Sequence, residues 1–177
     1  MEKKMGFFEA VSQVFRKSFV FKGRARRKEY WSWALFSALL NIVVAVAVMM
    51  MSSSATVQTC VSLLLAILMF FPGFSVAVRR LHDVDRSGWW LGGYYIVSFV
   101  YILILAFLGL DNLGEDATSA TIVVGLLSLV FILAALIWAI VMLVWYFTKG
   151  TDGPNKYGEG PMRDERIDGS ADMTVAS

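Results

Sequence analysis

The sequence predicts an all-α membrane protein, an antiparallel four-helix transmembrane bundle with an N-terminal amphipathic interfacial helix. Composition, four uncharged apolar runs and the distribution of basic residues lead to this class. Hydrophobic residues make up 58% of the 177-residue chain and charged residues 17%, and the mean hydropathy is +0.64. Soluble domains carry about a quarter charged residues, and a chain of this length still exposes much of its surface. A bilayer therefore suits this composition better than water.

Helical spacing of apolar residues predicts the first element, an amphipathic helix near the N-terminus. One face carries large apolar side chains and one serine, namely Phe7, Phe8, Val11, Val14, Phe15, Ser18 and Phe19. Polar residues such as Glu9 and Arg16 take the other face. We expect this helix to lie in the cytoplasmic interface of the membrane and to orient the first span. A lipid sensor or a partner-docking helix is the alternative interpretation.

Four apolar runs follow, and each is long enough to cross a bilayer, which takes about 20 helical residues. They cover residues 31–51, 57–78, 89–110 and 121–147, and none contains Asp, Glu, Lys, Arg or His. Continuous runs favour helices over the alternating strands of a β-barrel. The first run is longer than the apolar region of a signal peptide, which indicates a retained span. Short connections make neighbouring helices antiparallel.

The basic residues predict the orientation. Of the sixteen Lys and Arg, nine precede the first run, three lie within 79–88 and four follow the last run. Cationic segments beside spans stay in the cytoplasm, so both termini are expected there. This gives a cytoplasmic amphipathic and basic segment (1–30), a four-span membrane domain (31–147) and a cytoplasmic tail (148–177). The tail is expected to be largely disordered after residue 161, because few apolar residues remain.

Two short polar blocks lie at span ends on the predicted cytoplasmic side. In "KGRARRKEYW" five cations within seven residues precede Trp31. Attraction to an anionic leaflet is enough to explain these five cations. The more specific interpretation is a site for a lipid phosphate, with Arg24 and Arg27 as bidentate donors. The second block, "RRLHDVDRSGWW", has the turn residues of a hairpin between helices. Its catalytic interpretation makes His82 a general base.

Metal binding and catalysis are the weaker interpretations of the second block. The chain has one His, and Cys60 lies far away in the second run, so no tetrahedral ligand set is complete. We therefore expect no catalytic residue, no metal site and no cofactor. The span interiors lack ionisable residues, and Asn41 is the one strongly polar side chain deep in the first run. It lies on a stripe of small residues, which suits an interhelical hydrogen bond.

A third polar block, "GTDGPNKYG", follows the last run. We expect the three blocks, residues 21–31, 79–88 and 150–158, to meet in one cytoplasmic assembly, here named the polar cap. Cations of one block would pair there with carboxylates of another, because a shielded carboxylate needs a partner. The candidate ligand-binding residues of the polar cap are Arg24, Arg27, Glu29, Arg79, Arg80, His82, Asp83 and Asp85.

The same blocks resemble a bacterial inner-membrane family, domain of unknown function 805. The matching residues are "F-x-G-R-x-x-R-x-E-Y-W" from Phe21, "R-R-L-H-D" from Arg79, "S-G-W-W" from Ser87 and "G-x-x-G-P-N-K-Y-G" from Gly150. They occur in the family's order, over roughly residues 7–161. The resemblance implies a small multi-pass protein of the inner (plasma) membrane, and it implies no particular activity.

We expect a non-enzymatic membrane module whose polar cap binds anionic lipid headgroups or a partner protein, either another copy or a different membrane protein. Nucleic acid is not an expected partner, because the basic residues lie against the membrane among aromatic residues. One alternative is a membrane-embedded enzyme that uses His82 and Asp83 as acid and base. Another is a small oligomeric channel or carrier around the Asn41 stripe.

Overall fold

A computed structural model describes residues 5–51, 54–107 and 119–161, with side chains from residue 122 in the last range. These residues form five helices: α1 (Phe7–Arg16), α2 (Arg27–Met51), α3 (Ala55–Asp83), α4 (Trp89–Phe107) and α5 (Ser119–Phe147). No strand occurs in the described part of the chain, where the only β-type pairing is an isolated bridge between Asn155 and Gly158. The all-α class is therefore confirmed.

The four long helices, α2 to α5, are each long and apolar enough to cross a membrane. They match the four predicted runs, so the prediction of four candidate spans is confirmed. Residues 52–53, in the connection between the first two predicted runs, lie outside the described residues. So do residues 108–118, which include the end of the third run and most of the connection to the fourth. The disorder predicted after residue 161 also lies outside the described residues.

Two helix boundaries differ from the predicted ones. Helix α2 begins at Arg27, four residues before the apolar run. Helix α3 extends to Asp83, so "RRLHD" is helical and the turn between α3 and α4 is limited to residues 84–88. Hydropathy locates the end of the apolar run, whereas a helix continues for as long as its last carbonyl groups find hydrogen-bond donors.

The described residues fall into two compact units. One unit takes the chain up to Gly88 together with the segment from Lys149, and the other is Trp89–Thr148. In the first unit α2 and α3 are antiparallel, because the start of α2 lies beside the end of α3. In the second unit α4 and α5 are also antiparallel. The Trp90 ring lies 5.1 Å from the Trp145 ring, and the Tyr101 ring stacks on Phe131 at 3.9 Å.

Helix α1 packs against both α2 and α3. Its residues Val11 and Val14 are buried in a cluster with Ala25, Trp33 and Val76. The opposite side is open, and Phe8 is 80% exposed. The packing explains the sequence pattern of α1, because its aliphatic side chains fill the groove between α2 and α3. Its position in the membrane interface stays a prediction.

A buried serine holds the end of α1 in place. The Ser75 hydroxyl on α3 lies 2.7 Å from the carbonyl oxygens of both Lys17 and Val20, which follow α1. Nearby, Gly73 lets Trp33 approach α3 closely, since a Cβ at this position would lie 3.0 Å from Trp33 Nε1. Ser75 and Gly73 thus fix how the N-terminal segment and α2 lie on the last part of α3.

Candidate functional site

The three polar blocks meet at one end of the α2–α3 pair. The segment before α2, the last turn of α3 and the residues after α5 contact one another there. We call residues 149–161 the C-terminal segment. The meeting of the blocks follows from the antiparallel arrangement of α2 and α3 and from the return of the chain to this end after α5.

The other two blocks cap the C-terminal end of α3. The last carbonyl groups of a helix have no partner within the helix. Here the carbonyl of Asp83 accepts from the Thr151 N–H at 2.8 Å, and one turn earlier the carbonyl of Arg79 accepts additionally from the Ala25 N–H at 3.0 Å. The carbonyl of His82 accepts from Asn155 Nδ2 at 2.9 Å. This capping explains why the helix continues through "RRLHD".

Asp83 is the centre of a buried ion network. Its Oδ1 accepts from Arg24 Nε at 2.9 Å, and its Oδ2 accepts from Arg80 Nη1. The three side chains are almost fully buried. A buried carboxylate requires such partners, since desolvation of an unpaired charge is costly. The network therefore ties the segment before α2 to the end of α3.

Arg24 also holds the C-terminal segment. Its Nη1 donates to the carbonyl of Gly153 and its Nη2 to the carbonyl of Thr151, both at 2.6 Å. The backbone can come this close because residue 150 is glycine. A Cβ on Gly150 would lie 2.6 Å from the carboxylate carbon of Asp83, which is an overlap. One guanidinium thus connects all three blocks.

Glu29 and Arg79 form a second buried pair between α2 and α3. Glu29 Oε1 accepts from the Arg26 N–H at 3.2 Å at the start of α2, as in a capping box. Its Oε2 lies 3.4 Å from Arg79 Nη1. Arg79 is 1% exposed, and its Nε and Nη2 have no hydrogen-bond partner among the described residues.

His82 and Asp85 lie at the outer edge of the polar cap. The His82 ring stacks on Tyr157 with centroids 3.9 Å apart, and its Nδ1 lies 3.2 Å from the carbonyl oxygen of Gly23. Asp85 has a φ of 57° in the turn after α3, and its side chain lies 3.6 Å from Lys156 Nζ. Both residues thus contact the C-terminal segment or the segment before α2.

The structure separates the eight candidate residues of the polar cap by environment. Five are buried and paired with one another: Arg24, Glu29, Arg79, Arg80 and Asp83. His82 is half-buried, whereas Arg27 and Asp85 are exposed. Within the described residues, no group of three His, Cys, Asp or Glu side chains could hold a metal ion. Both oxygens of Asp83 already accept hydrogen bonds, so the network serves to hold the three blocks together.

Among the described residues, Asn41 bonds within its own helix, and the predicted interhelical bond stays a prediction. Its Nδ2 donates to the carbonyl of Ser37 in the same helix at 2.8 Å, and the side chain is exposed. An asparagine in a helix can satisfy its amide on a carbonyl one turn earlier, and sequence position does not reveal that choice. A contact of Asn41 with a second copy of the chain stays a prediction.

Several contacting residues are absent from the sequence-based candidates. Ala25, Gly150 and Thr151 act through backbone groups or through lack of a side chain, and Ser75 acts through a hydroxyl inside an apolar run. The density of Gly, Pro and Asn after α5 signals tight turns. It does not signal that these turns lie on Arg24 and Asp83.

Comparisons with known proteins agree with the membrane assignment. Inner membrane protein YhaI of Escherichia coli (strain K12) is 30% identical over 141 residues, which cover 80% of this chain and 85% of the relative. Inner membrane protein YhaH of the same strain is 37% identical over 96 residues, which cover 54% of this chain and 79% of the relative. No solved structure matches this chain.

A family model described as "Protein of unknown function (DUF805)" matches residues 18–159. The match begins just after α1 and ends within the C-terminal segment, so it includes all three blocks of the polar cap and all four candidate spans. The chain belongs to the DUF805 family of inner-membrane proteins.

Proposed function

We propose that this inner-membrane protein is a non-enzymatic module whose polar cap binds anionic lipid headgroups on the cytoplasmic side. The observation that carries the proposal is the exposed basic and aromatic surface between α1 and α2. Lys22 and Arg27 are exposed there, and the aromatic side chains of Phe19 and Phe21 are 71% and 39% exposed. Cations beside exposed aromatic rings are typical of a surface that binds an anionic leaflet.

Contacts with α3 support this assignment of the surface. The Phe19 ring lies 5.1 Å from the Phe71 ring, and the Phe21 ring lies 5.9 Å from the Phe74 ring. Phe71 and Phe74 belong to the uncharged run of α3. The aromatic residues before α2 are therefore held against a candidate span, with the cations next to them, as in the aromatic and basic belts of membrane proteins.

The buried network has a different task in this proposal. Arg24, Arg80 and Asp83 hold the three blocks together, and Glu29 with Arg79 joins α2 to α3. We therefore assign headgroup contact to exposed cations such as Lys22 and Arg27. Among the candidate residues of the polar cap, this favours Arg27 as the direct ligand of lipid and makes the buried residues its support.

Replacement of Lys22 and Arg27 by Gln tests the proposal. Near an anionic leaflet each cation contributes about 1 kcal/mol, so the double variant should retain about thirtyfold less phosphatidylglycerol or cardiolipin. The measurement is native mass spectrometry of lipids that co-purify in mild detergent, with phosphatidylethanolamine as the internal reference.

The matched control is Lys22→Arg with Arg27→Lys, which keeps both charges and should keep the bound lipid. Unchanged retention in the Gln variant would contradict headgroup binding. A protein that co-purifies with the wild type and is lost from the Gln variant, with no change in lipid, would favour partner binding instead.

A further inference from the structure

The C-terminal segment ends beside the segment that precedes α2. Nη2 of Arg26 donates to the carbonyl oxygen of Pro161 at 3.1 Å. A Cβ on Gly160 would lie 3.9 Å from Arg24 Nη1, so the residue before Pro161 also lies close to this segment. Pro161 is the last residue that the structure describes. The chain after Pro161 therefore begins next to the surface to which we assign headgroup contact.

The residues that follow Pro161 are acidic overall. Residues 162–172, here named the acidic tail, have two cations and four carboxylates and hence a net charge of −2. The carboxylates belong to Asp164, Glu165, Asp168 and Asp172. The polar block beside which the tail begins has five cations within seven residues, and Lys22 and Arg27 among them are exposed. The two segments thus carry opposite charge at the point where the described chain ends.

The nearest carboxylates of the acidic tail can reach those cations. An extended chain spans at most about 3.3–3.6 Å per residue, so Asp164 and Glu165 can lie up to about 10–14 Å from Pro161. Arg27 is the neighbour in sequence of Arg26, which binds Pro161. A group held by a tether of a few residues acts at an effective concentration of about millimolar. The acidic tail is therefore a local competitor for any anion that binds there.

We propose that the acidic tail binds the exposed cations Lys22 and Arg27 and competes there with the anionic lipid headgroup. This inference rests on the proposed function and names how its site is regulated. Carboxylate and phosphate oxygens accept from the same ammonium and guanidinium donors, so the tail and the headgroup exclude each other. Exposed ion pairs are weak, and a leaflet rich in anionic headgroups therefore displaces the tail. The tail thereby sets the density of anionic lipid at which the polar cap binds the leaflet.

The buried ion network stays intact during this exchange. The carboxylates of Asp83 and Glu29 keep their arginine partners. The contact between Arg26 and Pro161 also stays, because it precedes the acidic tail. Only exposed cations exchange one anion for another, so neither α2 nor α3 has to move.

Neutralisation of the two nearest carboxylates tests the competition in the full-length protein. In Asp164→Asn with Glu165→Gln, retention of phosphatidylglycerol relative to phosphatidylethanolamine should rise at least about twofold, since two exposed ion pairs no longer oppose it. Native mass spectrometry of the co-purified lipids measures this ratio. The matched control is Asp116→Asn with Glu115→Gln, the same chemical change in the connection that is predicted to lie on the other side of the membrane. Retention in the control should equal that of the wild type.

Cross-linking with a carbodiimide measures the contact itself, because this reagent joins a lysine amine to a carboxylate that touches it. The variant Arg27→Lys gives the second cation an amine and keeps its charge. In nanodiscs of phosphatidylcholine, the inference expects an amide bond between position 22 or 27 and a carboxylate of the acidic tail, identified by mass spectrometry of peptides. In nanodiscs that also contain phosphatidylglycerol, the yield of this bond should fall at least about twofold.

The outcomes separate the two proposals. A cross-link that phosphatidylglycerol reduces, together with higher lipid retention in the neutralised variant, supports the competition. No cross-link in phosphatidylcholine, or unchanged retention in the neutralised variant while the wild type binds phosphatidylglycerol, overturns the competition and leaves the proposed function standing. An equal rise in the control variant overturns the competition as well, since net charge alone would then explain the effect. Absent retention in the wild type and in both variants would overturn the proposed function, and the competition with it.

Discussion

At the residue scale, Asp83 is the residue that connects the three blocks of the polar cap. One carboxylate accepts from Arg24 and Arg80, and the carbonyl group of the same residue accepts from the Thr151 N–H. Side chain and backbone of one residue thus hold two other segments of the chain. The sequence predicted that a cation of one block would pair with a carboxylate of another, and the Arg24–Asp83 pair is such a contact.

Asp83→Asn should destabilise the protein by about 3–5 kcal/mol, because it leaves two buried guanidinium groups without their counter-ion. The midpoint of denaturant unfolding in detergent measures this. Asp85→Asn is the matched control. Asp85 is exposed and lies 3.6 Å from Lys156, so the change should cost no more than about 1 kcal/mol. Equal losses of stability in the two variants would show that the buried ion network contributes no more to the free energy of unfolding than an exposed ion pair does.

At the element scale, the end of α3 organises its neighbours. The last carbonyl groups of α3 accept from N–H groups of the following turn and also from Thr151 and Asn155, which are distant in sequence. Hydropathy does not detect the distant donors, and it predicted a loop at 79–88 where the helix continues to Asp83. The position of α1 depends on the same stretch of α3, through Ser75 and Val76. Helix α1 is short, and an isolated helix of about this length is marginal in water, so docking onto α2 and α3 is what maintains it.

Ser75→Ala should loosen the chain after α1. The hydroxyl lies within hydrogen-bond distance of two carbonyl groups, and a buried acceptor that loses its donor costs about 1–3 kcal/mol. Hydrogen exchange of the backbone N–H groups at residues 17–22 should accelerate. Ser62→Ala on the same helix is the control, because Ser62 is exposed. Similar exchange in both variants would mean that Ser75 does not hold this segment.

At the scale of the whole molecule, orientation is the property with the widest consequences. All sixteen Lys and Arg lie in the N-terminal segment, in residues 79–88 or after the last span. The structure brings described members of these three groups into one unit. If the positive-inside rule holds here, the polar cap and any ligand it binds are cytoplasmic.

Reporter fusions after Asp116 and after Ser177 should report opposite compartments, periplasm for the first and cytoplasm for the second. Alkaline phosphatase and green fluorescent protein activities measure the two locations. A fusion after Arg86 is an internal control and should agree with the fusion after Ser177, since both follow an even number of predicted spans. Agreement between the Asp116 and Ser177 fusions would contradict the four-span topology.

The sequence by itself determined that the protein lies in a lipid bilayer and which segments are long helices. An uncharged run of about 20 residues has to satisfy its backbone groups within a helix in lipid, and this requirement needs no knowledge of neighbours. The uneven distribution of Lys and Arg predicted the orientation in the same local way. The polar blocks, read together, also indicated which residues belong to one assembly.

Only the tertiary structure showed which contacts the residues of the polar cap make. The backbone N–H groups of Ala25 and Thr151 donate to carbonyl groups near the end of α3, and every residue type except proline has such a group, so no sequence pattern marks them. Arg24, Glu29, Arg79, Arg80 and Asp83 are buried together, and burial is a property of packing. Hydrophobic patterning acts between neighbours along the chain, whereas the hydrogen bonds and ion pairs of the polar cap join groups that are distant in sequence. For this reason the fold was predictable and the contacts of Arg24 with Thr151 and Gly153 were not.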